Sequence, residues 1–190
     1  ALMNHAADAR DTGAANLAFA RALIDELCSA GVATVVLCPG SRSTPLALAV
    51  AEQPGLPHSV HIDERNAAFH GLGFAKATGR PVVIVCTSGT AGANFLPAVA
   101  EADAAQQGED RGQQLMEQRS LYAGFTRWSE EAPCPSEGLP PGYARALARR
   151  AVFEATGPAP GPVHLNLPFR EPLVPKTIEP ALRPTGAARD

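Results

Sequence analysis

Three short stretches hold the side chains most able to do chemistry. In Cys38-Pro-Gly-Ser-Arg-Ser-Thr-Pro45, the Ser41 hydroxyl and the Arg42 guanidinium accompany a turn that exposes backbone N–H groups. That set suits a carboxylate or another anion, because amides at a helix start and a forked cation both donate toward negative charge. In His61-Ile-Asp-Glu-Arg65, two acids stand together at Asp63 and Glu64. Either can hold a ligand, or both can simply favour a helix N-terminus, each by about 0.3–1 kcal/mol. In Cys86-Thr-Ser-Gly-Thr90, Thr87, Ser88 and Thr90 place hydroxyls around a glycine turn, with Asn94 one helical turn on.

Each stretch follows an apolar run and precedes a helical pattern. Residues 12–30 read as a helix with Leu17, Ala20, Leu23, Ile24 and Leu27 on one face, stopped by Gly31. Val32–Cys38 reads as a strand apolar on both sides, as in a parallel sheet. Ser43 or Thr44 can cap the next helix, through Glu52, with Pro45 in its first turn. Val60–Ile62 reads as a second strand. Asp63 can cap a helix burying Ala67, Phe69, Leu72, Phe74 and Ala75. Pro81–Val85 is the third strand, and Ala91–Ala104 the helix after its loop. Three strand–loop–helix units in a row predict an α/β fold. It would be a doubly wound, mostly parallel sheet with helices on both faces. Ligands of such sheets bind beyond the carboxyl ends of the strands, where all three loops emerge.

The pattern breaks at residues 104–118, which are polar, Gln-rich and hold no apolar run for a fourth strand. Tyr122, Phe125 and Trp128 then offer packing surface. Residues 134–141 form a Pro/Gly loop, and 142–156 a helix whose Arg145, Arg149 and Arg150 face reads as solvated. Val163–Leu167 reads as a strand. The expected division is a disordered leader over 1–11, one domain over 12–172 and an extended Pro-rich linker over 173–190 toward a further region.

A net charge of −3 gives no reason to expect a nucleic-acid or membrane-surface partner. No apolar run is long enough to cross a bilayer. Cys28, Cys38, Cys86 and Cys134 lack metal-type spacing; the first three read as buried free thiols. A cytoplasmic location is the default expectation. Pro39-Gly40-Ser41-Arg42 is not a dinucleotide fingerprint.

Taken together, Cys38–Leu46, His61–Arg65 with Gly71–Lys76, Thr87–Asn94 and Gly161–Leu173 resemble the N-terminal pyrimidine-binding domain of the thiamine-diphosphate enzymes. More narrowly, they resemble the SEPHCHC synthase family of menaquinone biosynthesis. The likeness covers residues 13–102 and 112–175, apart from a variable stretch around 130–141. It implies thiamine diphosphate, with Mg²⁺ or Mn²⁺ held by a C-terminal domain outside this chain, in a homodimer or homotetramer. It implies that Glu64 hydrogen-bonds N1′ of the cofactor pyrimidine as the catalytic acid. Pro39, Thr87, Ser88, Thr90 and Asn94 would line the cofactor pocket, and Ser41, Arg42 and Gln114 would contact substrate. The implied reaction decarboxylates 2-oxoglutarate and adds the succinyl unit to isochorismate. Other readings are a different thiamine-diphosphate carboligase or decarboxylase, or a stand-alone domain that binds without catalysis. One departure stands out: the family's strand after the helix near Ala102, with its Ala-Asp-Arg-Pro turn, has no counterpart here, and Arg111 is a poor stand-in.

Overall fold

Three short strands, each followed by a polar loop and a helix, build the first half of the chain. The structure, a computed structural model, describes residues 2–107, 121–122, 124–140 and 142–178; side chains are described from residue 12, and in the first stretch up to 104. The elements run α1 (Leu2–Ser29), β1 (Thr34–Leu37), a 3-10 turn (Ser41–Ser43), α2 (Thr44–Glu52), β2 (His58–Val60) and α3 (Glu64–Thr78). They continue with β3 (Val82–Val85), α4 (Ala91–Gln107), β4 (Trp128–Glu131), α5 (Tyr143–Thr156) and β5 (Val163–Asn166).

The backbone is helical from Leu2, where the sequence reads as an unstructured leader. Residues 2–11 carry Leu, Met, Ala and Arg with no Gly or Pro to stop a helix. Gly31 ends α1 at φ +92°, a conformation only glycine adopts without strain, and the chain turns at once into β1.

β1 lies between β2 and β3, all parallel, with Leu37 opposite both Val60 and Val85. The two-residue period of β1 sorts its side chains cleanly. Val35 and Leu37 face a core built with α1, α2 and α5, including Leu23, Ile24, Leu46, Val50 and Leu147. Val36 and Cys38 face a second core with Ala67 and Ala68 of α3 and Phe95 and Ala98 of α4. Helices therefore cover both faces of a parallel sheet, as expected.

Four expectations need correction. β2 runs from His58 to Val60 rather than over Val60–Ile62, and Val60 and Ile62 are 64% and 93% exposed. Among the described residues β2 is an edge strand, so its pleat has a neighbour only at β1. On α3 the buried residues are Ala67, Ala68 and Gly71, while Phe69 and Phe74 stay 43% and 37% exposed. Small side chains let that helix approach the sheet closely; a Cβ on Gly71 would meet Ile84 at 3.0 Å. Next, Trp-Ser-Glu-Glu forms β4, paired in parallel with β5 as a separate two-stranded sheet among the described residues. Its composition is not strand-like, but Trp128 packs on the first core and the ladder to β5 satisfies the backbone. Finally, the basic face of α5 is not merely solvated. Arg145 lies 2.6 Å from Asp25 and 3.1 Å from Glu26, Arg149 lies 3.2 Å from Glu26, and the Arg150 guanidinium sits 4.5 Å over Trp128.

After β5 the chain runs back across α1. Asn16, fully buried, donates its amide to the Arg170, Pro172 and Leu173 carbonyls at 2.8, 3.1 and 3.4 Å. A Cβ on Gly13 would lie 2.5 Å from the Val174 backbone. Packing thus continues past Pro172 to at least Val174. No helix among the described residues is long and apolar enough to cross a membrane.

Candidate functional site

The carboxyl ends of β1, β2 and β3 release three loops on one edge of the sheet, and these carry most of the expected site residues. Asp63 and Glu64 divide the roles that the sequence left open. Asp63 takes the N-cap of α3 in extended backbone, and its carboxylate accepts the Asn66 N–H at 2.7 Å. Glu64, the first residue of the helix, is partly buried and makes no hydrogen bond or ion pair among the described residues. Its carboxylate is left available.

That carboxylate is felt at the ends of both neighbouring strands. Burial first, then the charges of Glu64 and Asp63, push the Cys38 thiol up to about 11. Burial, then Cys38 and Glu64, push Cys86 up to about 12. Cys38 N–H donates to the Val85 carbonyl at 2.7 Å, so the two thiols leave adjacent parallel strands side by side. Both stay protonated at neutral pH, and all four cysteines are free, as expected for Cys28, Cys38 and Cys86. Cys28 and Cys86 are only partly buried, however.

The first and third loops touch. A Cβ on Gly40 would lie 2.3 Å from the Thr87 Cβ, so only glycine permits this approach of the Pro39 turn to Thr87. Thr87 is half-buried; Pro39, Ser88, Thr90 and Asn94 are exposed. The Asn94 amide donates back to the Thr90 carbonyl at 3.4 Å, tying the loop to the first turn of α4.

The Ser41–Ser43 turn differs from expectation in its capping. Ser43 occupies the α2 N-cap, but its hydroxyl donates to the Gly40 carbonyl at 3.0 Å, and Thr44 donates to Ser41 at 2.7 Å. Neither side chain caps α2 by accepting a helix N–H; Pro45 stands in its first turn as expected. Arg42 is exposed, yet not loose. Its Nη1 donates to the Phe169 carbonyl at 3.2 Å and its Nη2 lies 3.2 Å from a Glu171 oxygen. Gln114 and Arg111 lie outside the described residues.

Sequence reasoning assigned no role to Phe169, Glu171 or Asn16, although 161–173 was singled out as a motif. It also passed over His164. The imidazole packs edge-on against Tyr122 at 4.8 Å, and burial lowers its pKa below the ordinary value. The Tyr122 hydroxyl donates to the Gly92 carbonyl of α4, and burial raises its pKa. A lone strand histidine carries no sequence signal that would have found this.

The arrangement offers a partly buried, unpaired carboxylate, a neighbouring glycine-gated hydroxyl loop and a tethered guanidinium. Such a carboxylate fits a ring-nitrogen partner that shares a proton with it. Among the described residues, no group of three or more His, Cys, Asp or Glu side chains can hold a metal ion.

Comparisons with known proteins bear on the family. Residues 17–108 match the family model of the thiamine pyrophosphate enzyme N-terminal TPP binding domain. Curated relatives named 2-succinyl-5-enolpyruvyl-6-hydroxy-3-cyclohexene-1-carboxylate synthase include one from Geobacillus thermodenitrificans. It is 47% identical over 178 residues, covering 86% of this chain and 30% of the relative. One from Geobacillus kaustophilus is 49% identical over 175 residues, covering 85% and 30%. One from Dechloromonas aromatica is 45% identical over 185 residues, covering 90% and 34%. The chain thus spans about a third of the length of these relatives.

Proposed function

Since this chain belongs to the thiamine pyrophosphate enzymes through its N-terminal TPP binding domain, we propose that it is the pyrimidine-holding part of a carboligase. That enzyme decarboxylates 2-oxoglutarate and adds the succinyl unit to isochorismate in menaquinone biosynthesis. The observation that carries the reading is Glu64. It is a partly buried carboxylate with no partner among the described residues, at the mouth of the sheet, while Asp63 does the capping beside it. The names and 45–49% identities of the relatives support the same choice of reaction.

Glu64 holds a hydrogen bond to N1′ of the aminopyrimidine and shares a proton there. An Asp would fall short by a methylene, and a Gln could not exchange the proton. Thiamine diphosphate, when bound, supplies the carbanion chemistry of decarboxylation and ligation. Pro39 and the Thr87–Ser88–Thr90 loop, braced by Asn94, line the pyrimidine pocket. The protonated thiols of Cys38 and Cys86 keep further negative charge away from Glu64. Ser41 and Arg42 meet a substrate carboxylate, and Gln114 is a third substrate contact.

Diphosphate and Mg²⁺ or Mn²⁺ are held by a different domain of a partner subunit, in a cytoplasmic homodimer or homotetramer. Two observations support an assembly. The relatives carry about two thirds of their length beyond the matched region. Val60 on β2, Ile62 in the loop after it, and Phe69 and Phe74 on α3 also expose apolar surface on the segments flanking Glu64.

The test is carboligation by the intact enzyme containing this chain. Glu64→Gln should lower kcat by about a hundredfold or more, with an unchanged melting temperature. Wild-type turnover in that variant would remove Glu64 from the chemistry.

A further inference from the structure

We infer that Glu171 is a positioning residue for Arg42, and that residues 169–173 act as a strap that sets the plane of the Arg42 guanidinium. The inference deepens the proposed function and rests on Arg42 meeting a substrate carboxylate.

The argument starts from how Arg42 is held. A long side chain at an exposed loop ordinarily samples many rotamers, and a freely rotating guanidinium presents no fixed fork to a carboxylate. Here both terminal nitrogens are engaged from one side. Nη1 donates to the Phe169 carbonyl at 3.2 Å, and Nη2 meets Glu171 Oε1 at 3.2 Å. One backbone oxygen alone would leave the plane free to turn about that contact. A second acceptor two residues along the same segment fixes it. The remaining N–H edge stays available for an incoming anion, since guanidinium has five donors.

The strap is itself anchored. Phe169 is buried in the first core and packs edge-on against Phe19 of α1, with ring centroids 6.3 Å apart. Arg170, Pro172 and Leu173 present carbonyls to the buried Asn16 amide. α1 therefore holds the strap from within, and the strap holds Arg42 at the surface. Glu171 lies between anchored neighbours, so its backbone is placed even though its side chain is exposed. This gives a role to the Phe169–Leu173 part of a motif whose function was otherwise unassigned.

The contact is a surface ion pair, with Arg42 and Glu171 side chains 47% and 72% exposed, so the expected effect is small. Two measurements decide the matter. In the ¹⁵N-labelled chain, with Arg42 resonances identified by Arg42→Lys, the wild type should show separate Nη1 and Nη2 signals. In Glu171→Ala they should merge by rotation, and Glu171→Gln, whose amide oxygen still accepts, should keep them apart. Merged signals in the wild type, or separate ones in Glu171→Ala, would overturn the inference. In the intact enzyme, Glu171→Ala should raise KM for a carboxylate substrate about two- to fivefold with kcat within twofold, and Glu171→Gln should recover most of the change. A KM lowered by either variant would mean that Glu171 competes with substrate, and would also overturn it. If the wild type turns over neither 2-oxoglutarate nor isochorismate, the proposed function fails, while the resonance measurement still decides whether Glu171 orients Arg42.

Discussion

The two faces of the three-stranded sheet are built from different materials. Toward α1, α2 and α5, β1 meets Leu23, Ile24, Leu27, Leu46 and Val50, long aliphatic side chains that are almost fully buried. Toward α3 and α4 it meets Ala67, Ala68 and Ala98, the thiols Cys38 and Cys86, and two aromatics, Phe95 and Tyr122. The first face removes the most apolar area from water and so contributes most of the stability. The second buries less per residue, but its small side chains hold α3 against the sheet and bring Glu64 to the strand ends. Stability and the candidate site are thus separated across one layer of backbone.

Substitutions can break this comparison. Ile24→Ala should cost about 2–5 kcal/mol in urea unfolding, because its side chain is 1% exposed and leaves a cavity. Truncating Cys86 to Ala should cost markedly less; equal losses would erase the distinction. Asn16→Ala removes the donor shared by three carbonyls and should cost about 1–3 kcal/mol. Gly40→Ala forces a Cβ onto Thr87 and should cost about 1–3 kcal/mol. Thr87→Gly should restore much of that loss, since the two positions share one contact. If the costs simply add, the loops do not press on each other.

The pH dependence sharpens the same contrast, because the shifted thiols lie on the second face. Cys38 and Cys86 are raised from 9.0 to about 11 and about 12, so the folded state binds more protons than the unfolded chain above pH 9. Their contribution is fully present below about pH 9 and is lost as pH rises through the folded values. His164 is lowered from 6.5, so its contribution is present above about pH 6.5 and falls away in acid. Urea midpoints should therefore decline on both sides of neutrality. Replacing both thiols with Ala should flatten the alkaline limb, and His164→Gln the acid limb. The smallest effect is expected for Arg149→Ala, an exposed partner of Glu26, at about 1 kcal/mol or less.

Much of this was legible beforehand because it is local. The apolar runs of β1 and β3, Gly31 as a helix stop and Asp63 as a cap each depend on a few neighbouring residues. Glu64 stood out as a candidate because strand and helix signals adjoin at it, and because of the motif likeness. What failed depends on partners far along the chain. Phe69 and Phe74 read as core because apolar residues usually are, yet the small residues Ala67, Ala68 and Gly71 are the ones α3 packs on the sheet. β4 was invisible because its strand character comes from pairing with β5 more than thirty residues later.

The amino-acid sequence by itself determined the order of strand–loop–helix units, the free thiols, and the carboxylate and guanidinium offered at the loops. These follow from side-chain period, turn chemistry and residue type, which act over a few bonds. Only the tertiary structure decided that α5 clamps α1 through Arg145 and Arg149, and that Arg42 is held by residues 169–171. Those outcomes require segments over a hundred residues apart to meet, and burial together with hydrogen bonding in the assembled fold sets which of them do.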